Sequence, residues 1–340
     1  MMLTVPLSQR RGQVTAMKNS KLLLIIGAAV VLVIAAAVSV MSVQSVRKGG
    51  ILFSMNAKLR NTIEIPLSQV ESLSVSYGSK NLKIYVWQED EIVVKEYLNS
   101  GSGDALATKT IENGKAVITG GQTKWGFNLL WGGLGEKIEI YIPESGLTSL
   151  ELETGSGNIA VQEEFAFTGD NVSVQAGSGN INWGCTKAAS ISLKAGSGNI
   201  RVQDLIGEQV SVSTNSGNIS VKNISGSIYA KAGSGNITLE KISGQCEAET
   251  GSGNLKVEAK QVTGDISLVS GSGNQRLELP EGLSFELTVK TGSGNINTDY
   301  DSALSYNKKG NEATGQVGNA PASKIYLKAG SGNVSVRGEK

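Results

Sequence analysis

Histidine is absent from this chain of 340 residues, and cysteine occurs only twice. Without histidine there is no His-dependent catalytic triad, no histidine-ligated zinc site and no imidazole proton shuttle. Lysine and arginine number 31 against 30 for aspartate and glutamate, so the net charge is +1. A nucleic-acid-binding protein needs a clustered basic stripe, and this balance indicates none. The sequence therefore predicts no nucleic-acid partner, no metal site and no cofactor.

Catalysis would have to depend on carboxylates, and no paired pattern of them recurs along the chain. Glu89-Asp90-Glu91 lies between two strand-like runs, and Glu163-Glu164 falls in a turn. A glycosidase needs two carboxyl groups that face one cleft at a defined separation. We interpret these acidic residues as solvated turns and predict that the chain is not an enzyme.

What the chain does have is a repeated phrase, Gly-Ser-Gly-Asn, preceded by a small residue and usually followed by an aliphatic one. Successive copies are 18 to 22 residues apart, except for a last gap of 38 that equals two units. A period of about 19 residues indicates stacked units, each too small to bury its own apolar face. The nine asparagines of the phrase are Asn158, Asn180, Asn199, Asn218, Asn236, Asn254, Asn274, Asn295 and Asn333.

Side-chain alternation on both sides of the phrase predicts strands. Ile191-Ser-Leu193-Lys-Ala195 precedes one copy, and Ile200-Arg-Val202 follows it. A period of two with β-branched residues on one face is typical of strands, and no segment from 150 to 340 has helical length and period. The predicted fold class is all-β, a single β-helix-like solenoid with about 19 residues per coil, preceded by a transmembrane helix.

Positions within the phrase carry their own expectations. The preceding residue is always Thr, Ala or Ser, which predicts a cramped corner that faces inward. The residue after the asparagine should enter the core, with Gln275 as the exception and the weakest rung. Asn215 replaces the first glycine once, which suggests a left-handed backbone there. Stacked asparagines would lie about 4.8 Å apart and bond to neighbouring amides as a structural ladder. The alternative is a polar binding stripe.

Stacked coils also bear on the cysteines and the end of the chain. Cys185 and Cys246 would lie about 14 Å apart, beyond disulfide reach, so both are predicted to be free. Residues 301–323 would hold the missing unit in degraded form and bulge from the solenoid before the final coil. Residues 337–340 would then shield the terminal strand edge.

Residues 22–46 carry no charge, and the first 20 of them are almost entirely apolar. Such a run at 1.5 Å per residue spans the ~30 Å hydrocarbon layer, so we predict a transmembrane signal anchor in contact with the lipid bilayer. A cleaved signal peptide is the alternative, because Ala35-Ala-Ala37 resembles a peptidase site. Met17, directly before a basic run, is an alternative start.

The predicted organisation has five parts. Basic residues flank the apolar segment on both sides, so its orientation depends on the short acid-free tail before it and the large β-domain after it. We expect a cytoplasmic tail (1–21), the anchor (22–46), a linker (47–64), an irregular β opening or capping region (65–150) and the repeat solenoid (151–340). The chain would cross the cell membrane once, with the β-domain extracellular.

One stretch in the opening region is too apolar for an ordinary surface loop. It could fold over the open end of the solenoid as a plug. It could instead touch the bilayer interface or a partner, where tryptophan is enriched. The candidate interaction residues are Trp125, Phe127, Leu129, Leu130 and Trp131.

Several motifs follow the apolar segment in a fixed order: Val70-Glu-Ser-Leu-Ser-Val75, Ile92-Val-Val-Lys-Glu-Tyr97, Ile138-Glu-Ile-Tyr-Ile-Pro143, and then the repeated phrase. Over residues 65–340 this order resembles the bacterial putative-adhesin family of β-strand-repeat proteins, whose biochemical function is unknown. The resemblance implies a β-repeat fold and a cell-envelope context, and it offers no catalytic residues. Members often carry Asp where this chain has Asn, which argues further against a metal role.

Three functions follow from these observations. The first is a non-catalytic, membrane-anchored extracellular β-solenoid that acts as an adhesin-like or cell-envelope interaction scaffold. The second is a regulatory partner in envelope-stress sensing. The third, and least favoured, is a carbohydrate-active β-helix enzyme. The partner would be an unknown envelope component or a membrane protein.

Overall fold

The structure is a computed structural model that describes residues 57–99, 105–121, 135–161 and 166–338. The predicted membrane segment 22–46 and the apolar stretch with Trp125 and Trp131 lie outside these ranges. Among the described residues, no helix combines the length and apolar character needed to cross a bilayer.

β-Strands make up most of the described chain, as the period-two alternation predicts. Two single 3-10 turns, Leu67–Gln69 and Asp301–Ala303, interrupt them. The strands are β1 Lys58–Pro66, β2 Ser72–Tyr77, β3 Asn81–Trp87, β4 Glu91–Leu98, β5 Thr108–Glu112, β6 Lys115–Thr119, β7 Lys137–Pro143, β8 Ser149–Thr154, β9 Ile159–Val161, β10 Ala166–Ala176, β11 Ile181–Ala195, β12 Ile200–Thr214, β13 Ile219–Ser234, β14 Ile237–Ser252, β15 Leu255–Ser272, β16 Gln275–Leu279, β17 Phe285–Ser293, β18 Ile296–Thr298, β19 Leu304–Tyr306, β20 Glu312–Val317, β21 Ser323–Ser331 and β22 Val334–Gly338.

Each repeat unit is one coil with two arms. In β12, residues 200–206 pair in parallel with residues 219–225 of β13, and residues 209–214 pair with residues 227–232. The chain bends between the arms near Gly207, and the Gly-Ser-Gly-Asn corner joins one long strand to the next. Equivalent residues of successive units are therefore directly opposed, which confirms the period of about 19 residues.

The core runs through the whole stack as a single hydrophobic cluster. In each arm alternate residues point inward, and the two arms of a coil enclose these side chains between them. Val202 and Val212 of β12 are buried. An aliphatic residue follows eight of the nine asparagines, and seven of these eight residues are buried, such as Ile200 and Ile219. Ile296 is only partly buried because its rung lies at the end of the stack.

The first coil in the sequence is not the first coil in space. The coil of β2 and β3 lies between the coil of β6 and β7 on one side and that of β8 and β9 on the other. Antiparallel strands cover this end, with β5 on β6, and β4 then β1 on β7. Residues 58–66 therefore belong to the sheet, although residues 47–64 were expected to form a linker. Alternate inward residues in β1, Ile63 and Ile65, hold it there.

The other end shows the same rearrangement, and here two predictions are wrong. β21 and β22 lie between the coil of β15 and β16 and the coil of β17 and β18, so Arg337 is not at the terminal edge. Residues 301–323 do not form a degraded coil, because β20 pairs antiparallel with β17, and β19 with β20. The physical reason is burial: β20 buries only Ala313, whereas β21 buries both Ile325 and Leu327 and fits an internal position.

Candidate interaction surface

The nine asparagines lie in one column along a corner of the stack. In eight of them the side-chain oxygen accepts a hydrogen bond from the backbone N–H of the asparagine in the next rung, at 2.8–3.0 Å, and Asn295 is the last donor. These N–H groups would otherwise lack a partner at the corner. An aspartate oxygen could accept the same bond, but a column of carboxylates about 4.8 Å apart would repel itself. The neutral amide therefore suits a long ladder.

Asn81 begins the ladder, although it does not belong to a complete copy of the phrase. Its Oδ1 accepts the Asn158 N–H at 2.9 Å. The signal was present, since Gly78-Ser-Lys-Asn81-Leu82 is an incomplete copy of the phrase. At the far end Asn333 lies between Asn274 and Asn295, so the ladder follows the spatial order of coils.

The small residues before the phrase form a second, buried column, as predicted for an inward corner. Where the residue is threonine, its hydroxyl links adjacent rungs. Thr214 Oγ1 donates to the carbonyl oxygen of Gly198 in the preceding rung at 2.9 Å and accepts the Gly217 N–H at 3.1 Å. Alanine copies fill the same space without the bond. The members are Thr154, Ala176, Ala195, Thr214, Ala232, Thr250, Ser270, Thr291 and Ala329.

Glycine is favoured in the corner because the stacked backbones approach closely, although Asn215 replaces it once. A Cβ on Gly198 would lie 1.8 Å from the Gly179 carbonyl oxygen, and one on Gly196 would lie 2.1 Å from the Gly177 oxygen. The left-handed backbone expected at Asn215 is wrong, because that residue is not among the described non-glycine residues with positive φ. Its N–H donates to the Gly196 oxygen at 3.0 Å. Proximity, not handedness, selects the first glycine.

Gln275 is buried where an aliphatic residue stands in the other copies. Its Nε2 donates to Ser270 Oγ at 2.9 Å and to the Lys328 carbonyl oxygen at 2.7 Å, while its Oε1 has no partner. Ser270 is the one serine in the small-residue column, so the two polar exceptions meet. They lie at the junction where β21 and β22 enter the stack. That this rung is the weakest stays a prediction.

A buried carboxylate ties together the N-terminal end. Glu96 is fully buried, and it accepts hydrogen bonds from Tyr77 Oη at 3.1 Å, Asn61 Nδ2 at 2.7 Å and the Ala107 N–H at 2.9 Å. All three neighbours are neutral donors in this arrangement. Burial, and then the adjacent carboxylate, raise the pKa of Tyr77. The cluster joins β1, β2, β4 and residues 105–107.

Aromatic and charged side chains cover the outer face of the same end. Tyr85 and Tyr141 stack with ring centroids 5.0 Å apart, Trp87 lies 5.3 Å from Tyr141, and Lys95 Nζ lies 4.6 Å from the Tyr141 centroid. Cross-strand pairs of this kind stabilise sheets. Burial, and then the adjacent Glu139, raise the pKa of Tyr141 to about 12.

Glu139 lies among these rings and is buried. Lys137 Nζ donates to it at 2.6 Å and Tyr141 Oη at 3.1 Å. Burial acts to raise the pKa of Glu139, but the bonds from Lys137 and Tyr141 outweigh it, and the pKa is lowered. The carboxylate is therefore held ionised as part of the sheet.

The other candidate groups do not converge. In the part of the chain that the structure describes, no three His, Cys, Asp or Glu side chains lie where they could hold a metal. Both cysteines are free, and burial raises the pKa of Cys185 to about 11 and of Cys246 to about 12. Asp90 is exposed in the turn before β4. Glu163 and the residues from Trp125 to Trp131 lie outside the described ranges.

Comparison with known proteins identifies one matching family model and several solved structures of low sequence identity. Residues 99–337 match a family model described as Toastrack DUF4097. No curated protein matches the chain.

Several solved structures are similar over most of their length. A putative adhesin from Bacteroides fragilis NCTC 9343 is 14% identical, with a TM-score of 0.40, over 81% of this chain and 96% of that one. A putative adhesin from Parabacteroides merdae ATCC 43184 is 12% identical, with a TM-score of 0.43, over 84% and 98%. A structure called a putative lipid binding protein, from Parabacteroides distasonis ATCC 8503, is 17% identical, with a TM-score of 0.39, over 82% and 96%.

Proposed function

We propose that this chain, which belongs to the Toastrack DUF4097 family, is a non-catalytic, membrane-anchored scaffold that displays a solenoid-like β-body outside the cell for interactions with envelope components. One observation supports it above the others. The asparagine ladder and the parallel arms join the rungs without a break from Asn81 to Asn295. Such a stack is stiff and presents long outer faces, which suits display better than turnover.

The outward columns support an interaction role. Asn182, Arg201 and Ser220 stand in register on one arm, and Ser173, Ser192 and Ser211 stand in register on the other, with Ser211 beside Tyr229. These faces are polar and carry charged residues such as Arg201, as the rim of a non-obligate protein interface does. A carbohydrate-active enzyme needs two carboxyl groups that face one cleft; Glu258 and Glu278 do line one pocket, but Arg276 pairs with Glu278 there at 2.6 Å.

The location can be tested by labelling. In a Cys185→Ser, Cys246→Ala background, Ser216→Cys places one thiol on an exposed corner residue. Membrane-impermeant maleimide should label it in intact cells as fully as in permeabilised cells. Labelling that requires permeabilisation would contradict an extracellular body.

The partner class can be tested by crosslinking in intact cells. Recovery of cell-wall or surface material attached to the β-body is the expected result. A membrane-embedded sensor protein as the main product would favour the regulatory role instead.

A further inference from the structure

A basic pocket lies at the C-terminal end of the stack, beside the turn that joins β19 to β20. Its volume is about 600 Å³. Four lysines line it, Lys290, Lys308, Lys309 and Lys328, against a single acid, Glu312. The whole chain has a net charge of only +1, so this four-to-one ratio is a local concentration of positive charge.

The turn that carries two of these lysines is held in place. Asn307 Oδ1 accepts the Asn311 N–H at 3.1 Å, and Asn307 Nδ2 donates to Asn311 Oδ1 at 2.8 Å. The Asn311 carbonyl oxygen accepts the Thr291 N–H at 2.9 Å, which docks the turn against the glycine corner. Lys308 and Lys309 are therefore presented at a fixed place on the pocket wall.

Most of the positive charge in the pocket has no internal counter-charge. Lys290 Nζ pairs with Glu312 at 2.6 Å. Lys308, Lys309 and Lys328 are exposed and form no ion pair with any described carboxylate. Amines gathered around one pocket repel each other unless an anion lies between them. The pocket is thus complementary to a ligand with several negative charges.

The residues that line the pocket indicate which class of anion it can bind. Lysine binds phosphate as a point charge, whereas paired recognition of carboxylates is the property of arginine, and no arginine lines the pocket. Single-stranded nucleic acids are bound by stacking on aromatic rings, and no aromatic side chain lines the pocket either. Gly292 and Gly330 also line the pocket and contribute no side chain to it.

We propose that this pocket binds a flexible polymer of phosphate groups, such as a phosphodiester chain of the cell envelope. The inference deepens the scaffold role proposed above and rests on it, because it names the chemistry of the partner. Binding would be electrostatic, so it should weaken as salt is added.

The test uses the full chain in a neutral detergent and inorganic polyphosphate as the probe, followed by calorimetry. The wild-type chain should bind, and Lys308→Gln with Lys309→Gln should weaken binding roughly tenfold, since two of the unpaired charges are lost. Lys222→Gln with Lys260→Gln removes the same charge from exposed sites elsewhere and should leave binding within about twofold. An equal loss of affinity in both double variants would overturn the proposal that this pocket binds polyphosphate specifically.

A third variant predicts a gain. Glu312→Gln releases Lys290 from its ion pair and removes the only acid in the pocket, so binding should tighten by roughly twofold or more. Thermal unfolding of each variant shows that the fold is kept. Tighter binding cannot come from loss of structure, so weaker or unchanged binding in this variant would count against the proposal.

A lipid headgroup is the other source of phosphate. Water-soluble short-chain phosphatidylglycerol, titrated against short-chain phosphatidylcholine, tests it in the same detergent. Phosphatidylglycerol could bind more tightly than polyphosphate and lose this binding in the Lys308→Gln, Lys309→Gln variant. That result would overturn the proposal that the ligand is a phosphate polymer. If polyphosphate does not bind, the proposed phosphate-binding pocket is wrong. The scaffold role is then still tested separately by the labelling and crosslinking experiments. If surface labelling fails, the extracellular location is wrong, but the affinity measured for polyphosphate is unaffected.

Discussion

A single asparagine side chain in the ladder satisfies a backbone group of the next rung. In Asn199→Ala the Asn218 N–H loses the acceptor that it contacts at 2.9 Å. The bonds that join Asn199 to the side chains of Asn180 and Asn218 are lost as well, so we expect the free energy of unfolding to fall by about 1–3 kcal/mol. Urea unfolding measures the change. Ser197→Ala is the matched control, because this exposed side chain forms no hydrogen bond with another described residue, and it should change stability little.

The Glu96 cluster gives a larger expected effect because it is buried. Glu96→Gln keeps the size of the side chain but replaces one acceptor oxygen by an NH₂ group among the donors of Tyr77, Asn61 and Ala107. We expect a loss of about 1–3 kcal/mol, the cost of unsatisfied buried polar groups. Chemical denaturation checks it.

The control for this substitution is Glu64→Gln, which makes the same change at an exposed position of β1. A double variant with Tyr77→Phe removes one of the facing donors, so its loss should be smaller than the sum of the two single losses. Additive losses would show that the Tyr77–Glu96 bond does not contribute.

At this scale the sequence predicts what repeats and misses what occurs once. Nine copies made the inward position of Thr214 and Ile219 readable, because alternation and residue type agree in nearly all of them, with Gln275 as the exception. Glu96 has no such support, since its three donors come from separate segments of the chain. The prediction of a left-handed backbone at Asn215 was wrong because glycine can be favoured either by a positive φ or by close backbone approach. A single substitution does not distinguish these two causes.

The corner that joins two strands depends on stacking distance. Gly198→Ala would place its Cβ 1.8 Å from the Gly179 carbonyl oxygen, so the rungs must separate or the corner must open. We expect a loss of about 3 kcal/mol or more, in the upper range for single substitutions. Gly78→Ala is the control, because its Cβ would meet nothing within 4 Å. Similar melting temperatures for the two variants would contradict close backbone approach as the reason for glycine.

The sheet of β3, β4 and β7 has a pH dependence with a definite sign. The pKa of Glu139 is lowered in the folded state, so its contribution is present above the ordinary pKa of 4.5 and is lost as pH falls through the folded value. The free energy of unfolding should therefore decrease in acid. Glu139→Gln should lower stability at pH 7 and flatten this acid dependence, measured by urea unfolding across pH.

Glu281→Gln, at an exposed residue before β17, is the control for charge and should leave the acid dependence unchanged. An acid dependence equally steep in Glu139→Gln and in the wild-type chain would show that other carboxylates account for it.

At the scale of elements, strand type and period were predictable and pairing order was not. Parallel register follows from the period, because identical phrases must align to bury identical faces. The antiparallel strands β1, β4 and β20 have no phrase to set their register, and only their partners determine where they lie. Residues 58–66 could be read as a linker for that reason.

The stack of described coils has the same design at both ends. In each case the chain passes to the outermost coil and then returns to fill an internal position. Antiparallel strands cover the outermost coils, β5 at one end and β20 at the other. These antiparallel strands cover β6 and β17, whose backbone edges a simple solenoid would leave open.

This order predicts the effect of a truncation. Ending the chain after residue 320 removes β21 and β22, which separate the coil of β15 and β16 from that of β17 and β18. In a solenoid that followed sequence order, only the last rung would be lost. Here β17 loses its parallel partner, and the bond from Thr291 Oγ1 to the Gly332 oxygen, 2.9 Å long, disappears.

Hydrogen exchange distinguishes the two orders. In the truncated chain the amides of β17 should lose protection, because β17 keeps only its antiparallel neighbour β20, whereas β12 in the middle of the stack should stay protected. Lys324→Gln in the full chain is the control, because its exposed side chain changes while β21 stays in place. Protection of β17 that survives the truncation would mean that β17 can dock directly on β15, as it would in a solenoid wound in sequence order.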